Sequence, residues 1–210
     1  MDLTTNKNLG GVGAILMFIS PLLTFAAPYT GLLGLIGFIL VLIALKGVGD
    51  YYNENGIFNN ALYGFIVGII GGVVSIAVFI GTALAIIADI GISDWMNPNE
   101  WTAAFTTEAV LDSLLTLLGA IVIAFVILFI TIILTAWFYR KSLNLLSTKS
   151  GVGMFGTAGL ILLIGAILTI VVIGLLLIWI ALILLAVAFF SIKTTAGPSP
   201  EAAPPPPPPA

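Results

Sequence analysis

An all-α transmembrane bundle of about six helices is the fold this sequence predicts, and three observations predict it. Of 210 residues, 60 % are apolar and only 7 % are charged, where an ordinary soluble domain carries roughly 25 % charged residues. Mean hydropathy is +1.26. The apolar residues also fall into long uncharged runs, and about 20 residues rising 1.5 Å each cross roughly 30 Å of hydrocarbon. So few charges cannot cover a water-facing surface, so membrane lipid is the expected solvent.

Residues 1–193 read as one transmembrane domain with spans at about 9–27, 31–45, 61–88, 113–139, 153–170 and 174–192. The first span opens after Lys7 and contains Pro21, and Pro28 to Gly31 make a tight turn into the second. Pro21 interrupts the apolar run, Pro28 would follow any cleavage point and the leading segment is barely basic, so this is a retained span rather than a signal peptide. The third and fourth spans are bounded by Asp89 and by Arg140 and Lys141. From Gly153 to Ile192 no residue is charged. As one straight helix that run would reach about 60 Å, twice the membrane, so it must fold back, with a bend expected at Gly174 after Thr169. Each terminal hairpin either crosses fully or re-enters; both start and end on one side in either case.

Alternating the spans puts Lys7, Lys46, Arg140, Lys141, Lys149 and Lys193 on one side, and these are all the basic residues of the chain. Chance would do this about one time in thirty-two, and the positive-inside rule makes that side cytoplasmic. Both termini are therefore expected in the cytoplasm, with the cell (plasma) membrane as the location. Trp95, Trp101, Phe105, Trp137 and Tyr139 are expected as interfacial anchors, because rings with polar tips favour the headgroup layer.

The outer loop, 89–112, should hold an interfacial helix at about 98–106. Asn97 would cap it, Pro98 would sit in its first turn and Glu100 would reach back. The inner segment from Lys46 to Gly56 is glycine-rich but lacks the Lys-Ser/Thr pair of a phosphate loop, and reads as an interfacial turn. Residues 194–210 are expected as a disordered Pro-rich cytoplasmic tail, with six consecutive prolines at 204–209 that would extend as polyproline II.

Several chemistries lack their materials. No Cys and no His are present, which removes thiolates, the commonest general base and the commonest metal ligand. No metal, no cofactor and no catalytic residue is expected. Glu108 and Asp112 share a helical face, but acids also favour the first turn of a helix. The span interiors hold no ionisable residue, which argues against ion-coupled transport. A path for small neutral solutes could use Ser20, Thr24, Ser75, Thr82, Thr116, Thr131 and Thr135, although such hydroxyls usually bond to backbone. Nucleic acid is not an expected partner, because no basic patch is large enough.

Gly64, Gly68 and Gly72 repeat every four residues on the third span, with Gly81 and Ala85 beyond. Such a ridge lets another helix approach closely, from this chain, from a second copy or from another membrane protein. The terminal hairpins also resemble each other. Lys7 to Gly13 is echoed by Lys149 to Gly153, and Leu22-Leu23-Thr24 with Gly31 by Ile167-Leu168-Thr169 with Gly174. Both would begin and end inside, which makes the repeat parallel.

Four stretches carry a family resemblance: Lys7 to Gly13, Ile43 to Tyr52, Ile57 to Leu62, and Thr157 to Gly165. Through them, residues 1–193 resemble the prokaryotic, largely archaeal, membrane family called domain of unknown function 996. The resemblance implies a multi-pass membrane protein and no assigned activity. Some relatives end in a zinc-ribbon-like module; this chain has no cysteine and ends in prolines, so no zinc role carries over. The functional expectation is a non-enzymatic scaffold or interaction protein. The alternative is a channel or facilitator for small neutral solutes, and a lipid-acting enzyme at the outer rim comes third.

Overall fold

The computed structural model describes residues 2–24, 30–89, 96–100 and 107–193. Among them there is no strand, and six long helices follow in order: α1 (Leu3–Thr24), α2 (Gly31–Tyr51), α3 (Asn55–Asp89), α4 (Thr107–Ser150), α5 (Met154–Leu168) and α6 (Ile173–Phe190). Five of them, α2 to α6 (α5 taken with the turn after it), are long and apolar enough to cross a membrane. The expected first span is α1. Its apolar part is described as far as Thr24, and the rest of 9–27 lies outside the described residues.

Every helix runs antiparallel to the one before it, and the last returns to the first. Contacts join α1 to α2, α2 to α3, α3 to α4, α4 to α5, α5 to α6 and α6 to α1. The result is a closed ring of six staves. The α1–α6 seam is made by the Phe18 and Trp179 rings, stacked at 4.7 Å. There Trp179 Nε1 donates to the Phe18 carbonyl at 2.7 Å, which gives the indole its partner inside an apolar wall.

Two of the connections, after α2 and after α4, are short and end their helices with a positive φ. After α2, Asn53 adopts a φ of +51° and the Glu54 N–H donates to the Gly49 carbonyl at 2.9 Å. Asn accepts this left-handed geometry better than other residues with a side chain. Helix α2 therefore absorbs Lys46 to Tyr51, and the glycine-rich turn expected there narrows to residues 52–54. After α4, Gly151 takes the same role with φ +71°, its N–H donating to Ser147 at 3.0 Å.

The fold-back in the long uncharged run falls at Thr169–Val171, a single 3₁₀ turn, followed by Val172 at φ +66°. Gly174 contributes differently from the expected bend. A Cβ there would run into the Gly165 carbonyl and the backbone at Leu168 and Thr169, so it permits the close approach of α5 and α6.

The staves differ in length. With 35 and 44 residues, α3 and α4 reach about 52 and 66 Å. Gly159 packs beside Arg140, and counting along that antiparallel contact puts the α5–α6 turn level with about residue 128 of α4. Phe38 packs against Phe65 at 5.2 Å, which likewise puts the start of α2 level with about residue 72 of α3. Beyond these levels α3 and α4 continue together as a two-helix projection. Its faces carry exposed Ile76, Phe79, Ile80, Leu84, Leu114 and Leu118.

Candidate functional site

The core lies in the half of the ring where α1 begins and α6 ends. Phe155 and Phe189 meet edge to face at 5.1 Å, and Leu45, Val48, Ile57, Leu146 and Ile192 are buried around them. This packing closes one end of the ring. Above it the staves frame a half-open chamber of about 300 Å³ lined by residues of all six helices.

Its walls include Met17, Val41, Leu45, Leu128, Ile132, Ala136, Leu143, Ala158, Leu162, Ala166, Ile178, Ala181, Leu182 and Leu185. From Leu128 to Leu143 along α4 it runs about 22 Å. Thr131, Thr135 and Tyr139 also line it. The Thr131 hydroxyl donates to Ile127 at 2.8 Å and that of Thr135 to Gly64 at 3.3 Å. The Tyr139 hydroxyl is buried and has no hydrogen-bond partner. The walls are too apolar to hold water, which needs two to four polar partners.

Three of the other hydroxyls proposed for a solute path are also satisfied by backbone, and Thr116 is exposed. Ser20 donates to Thr30, Ser75 to Gly71 and Thr82 to Val78. The side chain of Thr24 lies outside the described residues.

The glycine ridge on α3 is real but shifted. A Cβ on Gly64 would lie 3.1–3.2 Å from Tyr139, Phe138 and Thr135, and one on Gly68 would lie 3.4 Å from Thr135. Next on this face comes Gly71, against Thr131; Gly72 and Gly81 meet nothing within 4 Å. Steps of four residues advance 400°, so a strict four-residue repeat drifts about 40° per step, whereas 64, 68, 71 and 75 keep one face. The partner of the ridge is α4 of the same chain.

Tyr139 is a second correction. It was expected as an interfacial anchor, yet it is 9 % exposed and packs edge-on to Phe38 at 5.8 Å. It lines the chamber together with Thr131, Thr135 and Leu143 of α4. Trp137 does face outward, 42 % exposed, with Lys141 Nζ 3.7 Å from its ring, a cation–π pair at the chain's surface. Trp95, Trp101 and Phe105 lie outside the described residues. Just before Trp101, Asn97 Oδ1 accepts from the Asn99 N–H at 3.1 Å and residues 98–100 are helical.

The basic residues converge at the closed end. Lys7 Nζ donates to the Ile192 carbonyl at 3.1 Å, where a cation suits the carboxyl end of α6. Lys193 is the next residue. Lys149 pairs with Glu54 at 3.1 Å, Lys46 with Asp50 at 3.9 Å, and the Asn6 side chain sits over Gly47. Arg140 and Lys141 lie about 12 Å along α4 from Lys149. At this end Tyr52 has its phenol pKa raised, first by burial and then by neighbouring Tyr51. Among the described residues no three Asp or Glu side chains are gathered closely enough to hold a metal ion. Asp112 is exposed, and the side chain of Glu108 lies outside the described residues.

Sequence reasoning missed Trp179, Asn6 and the inward role of Tyr139. The available signal for Trp179 was a Trp in the middle of an uncharged run, where a buried indole needs an acceptor.

Comparisons with known proteins place the chain in a family. An uncharacterized protein of Methanocaldococcus jannaschii is 30 % identical over 192 residues, covering 91 % of this chain and 94 % of that one. No solved structure matches. Residues 33–183 match the family described as protein of unknown function (DUF996), so the chain is a member of the DUF996 family.

Proposed function

We propose that the protein is a non-enzymatic binding protein of the plasma membrane, a scaffold or interaction protein rather than a path for solutes. Both termini and the basic end of the ring face the cytoplasm in this reading. One observation carries it: the ring is closed at its basic end by packed Phe155, Phe189, Leu45 and Leu146, and the chamber above has apolar walls. A path for neutral solutes is favoured by hydroxyl donors along its wall, and Thr131 and Thr135 already donate theirs to backbone carbonyls. The glycine ridge is used within the chain, which leaves the α3–α4 projection as the surface for a partner. Exposed Ile76, Phe79 and Ile80 lie there, with Gly81 and Gly119 open to close approach.

The test is a flux measurement on vesicles containing the purified chain. Stopped-flow shrinkage in glycerol and urea should match empty vesicles; a protein-dependent rate would reject the binding reading in favour of a facilitator. In-membrane crosslinking from cysteines placed at Ile76 and Ile80 should capture a second copy or another membrane protein. A strictly solitary chain would count against a scaffold.

A further inference from the structure

We propose that the chamber is a binding site for one neutral, chain-like amphiphile: a hydrocarbon carrying a single oxygen group, of the long-chain or isoprenoid alcohol type. Four observations lead there. No charged residue lines the chamber, so an ionised guest would be buried without a counter-charge, which is costly. The walls are apolar and the volume is about 300 Å³. A dry engineered cavity of about 150 Å³ holds one benzene, so this one suits roughly a dozen carbon atoms, one chain rather than two.

The chamber's far end lies where the terminal hairpins stop. Leu128, Ile132, Ala166 and Ile178 line it there, and among the described residues α3 and α4 alone continue, with exposed Ile70, Val73 and Val122 on their flanks. A chain dissolved in the bilayer reaches that mouth along an apolar surface without crossing water. The fourth observation is Tyr139. It is 9 % exposed, lines the chamber, and its hydroxyl has no partner. A buried hydroxyl without a partner is costly, and an oxygen on the guest supplies what the protein withholds. Plain alkane and the methyl ends of ordinary lipid tails do not. This goes beyond the scaffold reading and stands without it, since a solitary chain can hold such a guest.

The experiment uses the full chain in lipid nanodiscs with a diazirine-bearing dodecanol as probe. Labelling is expected on Met17, Ile132, Ala166 and Ile178, and excess unlabelled dodecanol should displace it. Tyr139→Phe should weaken dodecanol about 2- to 10-fold, the worth of one neutral hydrogen bond, and leave dodecane unchanged. Ala181→Leu and Ala136→Leu narrow the chamber and should weaken both; either suffices if the other fails to fold. Label confined to outward residues such as Ile70 and Val122, or not displaced by dodecanol, would overturn the site. Equal effects of Tyr139→Phe on alcohol and alkane would overturn the role of the hydroxyl.

Discussion

Closure of the ring depends on how near α1 comes to α2, and Gly37→Ala tests it. A Cβ at Gly37 would stand 2.5 Å from the Gly13 carbonyl oxygen, 2.9 Å from Leu16 Cβ and 2.9 Å from the Met17 nitrogen. Ordinary contact begins near 3.4 Å, so α1 must retreat by about 0.9 Å. Two of the three atoms are backbone, so no side chain can swing aside to make room. Overpacking of this kind costs about 1–3 kcal/mol. Alanine also gains about 1 kcal/mol over glycine in helix propensity, which would blur a single measurement. Gly72→Ala cancels that gain, because its Cβ meets nothing within 4 Å. The difference between the variants therefore isolates the clash. At about 2–4 °C per kcal/mol for a chain of this size, Gly37→Ala should melt about 2–12 °C below Gly72→Ala. Thermal unfolding in detergent, followed by tryptophan fluorescence and by circular dichroism, gives the comparison. Equal melting temperatures would refute the α1–α2 crossing and the ring built on it.

Two further substitutions probe strain and burial. Val172→Gly removes a β-branched residue held at φ +66°. Relief of about 1–3 kcal/mol, less the extra entropy of glycine in the unfolded chain, should leave a gain of about 1 kcal/mol in chemical denaturation. A loss would mean that Val172 is not strained. Asn6→Leu replaces a fully buried amide whose nitrogen and oxygen both lack partners. It should raise stability by about 1–3 kcal/mol, and a drop would show that the amide is satisfied in the membrane.

Much of the fold was legible because the hydropathy of a lipid-facing helix is nearly independent of its neighbours. The fold-back near Thr169 followed from length alone, since a run from Gly153 to Ile192 cannot be one helix in a bilayer. The helix ends were less legible: α4 runs on from Arg140 to Ser150 and α1 starts at Leu3. Hydropathy marks where lipid stops, not where backbone hydrogen bonding stops. Val172 carries no sequence mark of a positive φ, because the neighbouring helices impose it. The ridge at Gly64, Gly68 and Gly71 was misread by one residue, since a four-residue repeat catches the eye while helical geometry alternates threes and fours. The chamber itself was out of reach. It depends on α1 meeting α6 across Phe18 and Trp179, 161 positions apart, and no local pattern encodes that pairing.

The unequal staves have a consequence for the lipid around them. Helix α6, and α5 with the turn after it, offer 18 residues each, whereas the apolar run of α3 from 61 to 88 has 28; those are about 27 and 42 Å. A flat bilayer cannot match both flanks, and each ångström of mismatch costs a fraction of a kcal/mol. The leaflet must thin beside the terminal hairpins and thicken, or let the long pair lean, on the opposite flank. A molecule that puckers its surroundings this way settles where membrane thickness changes. Two such molecules lower the shared deformation by bringing their thin flanks together.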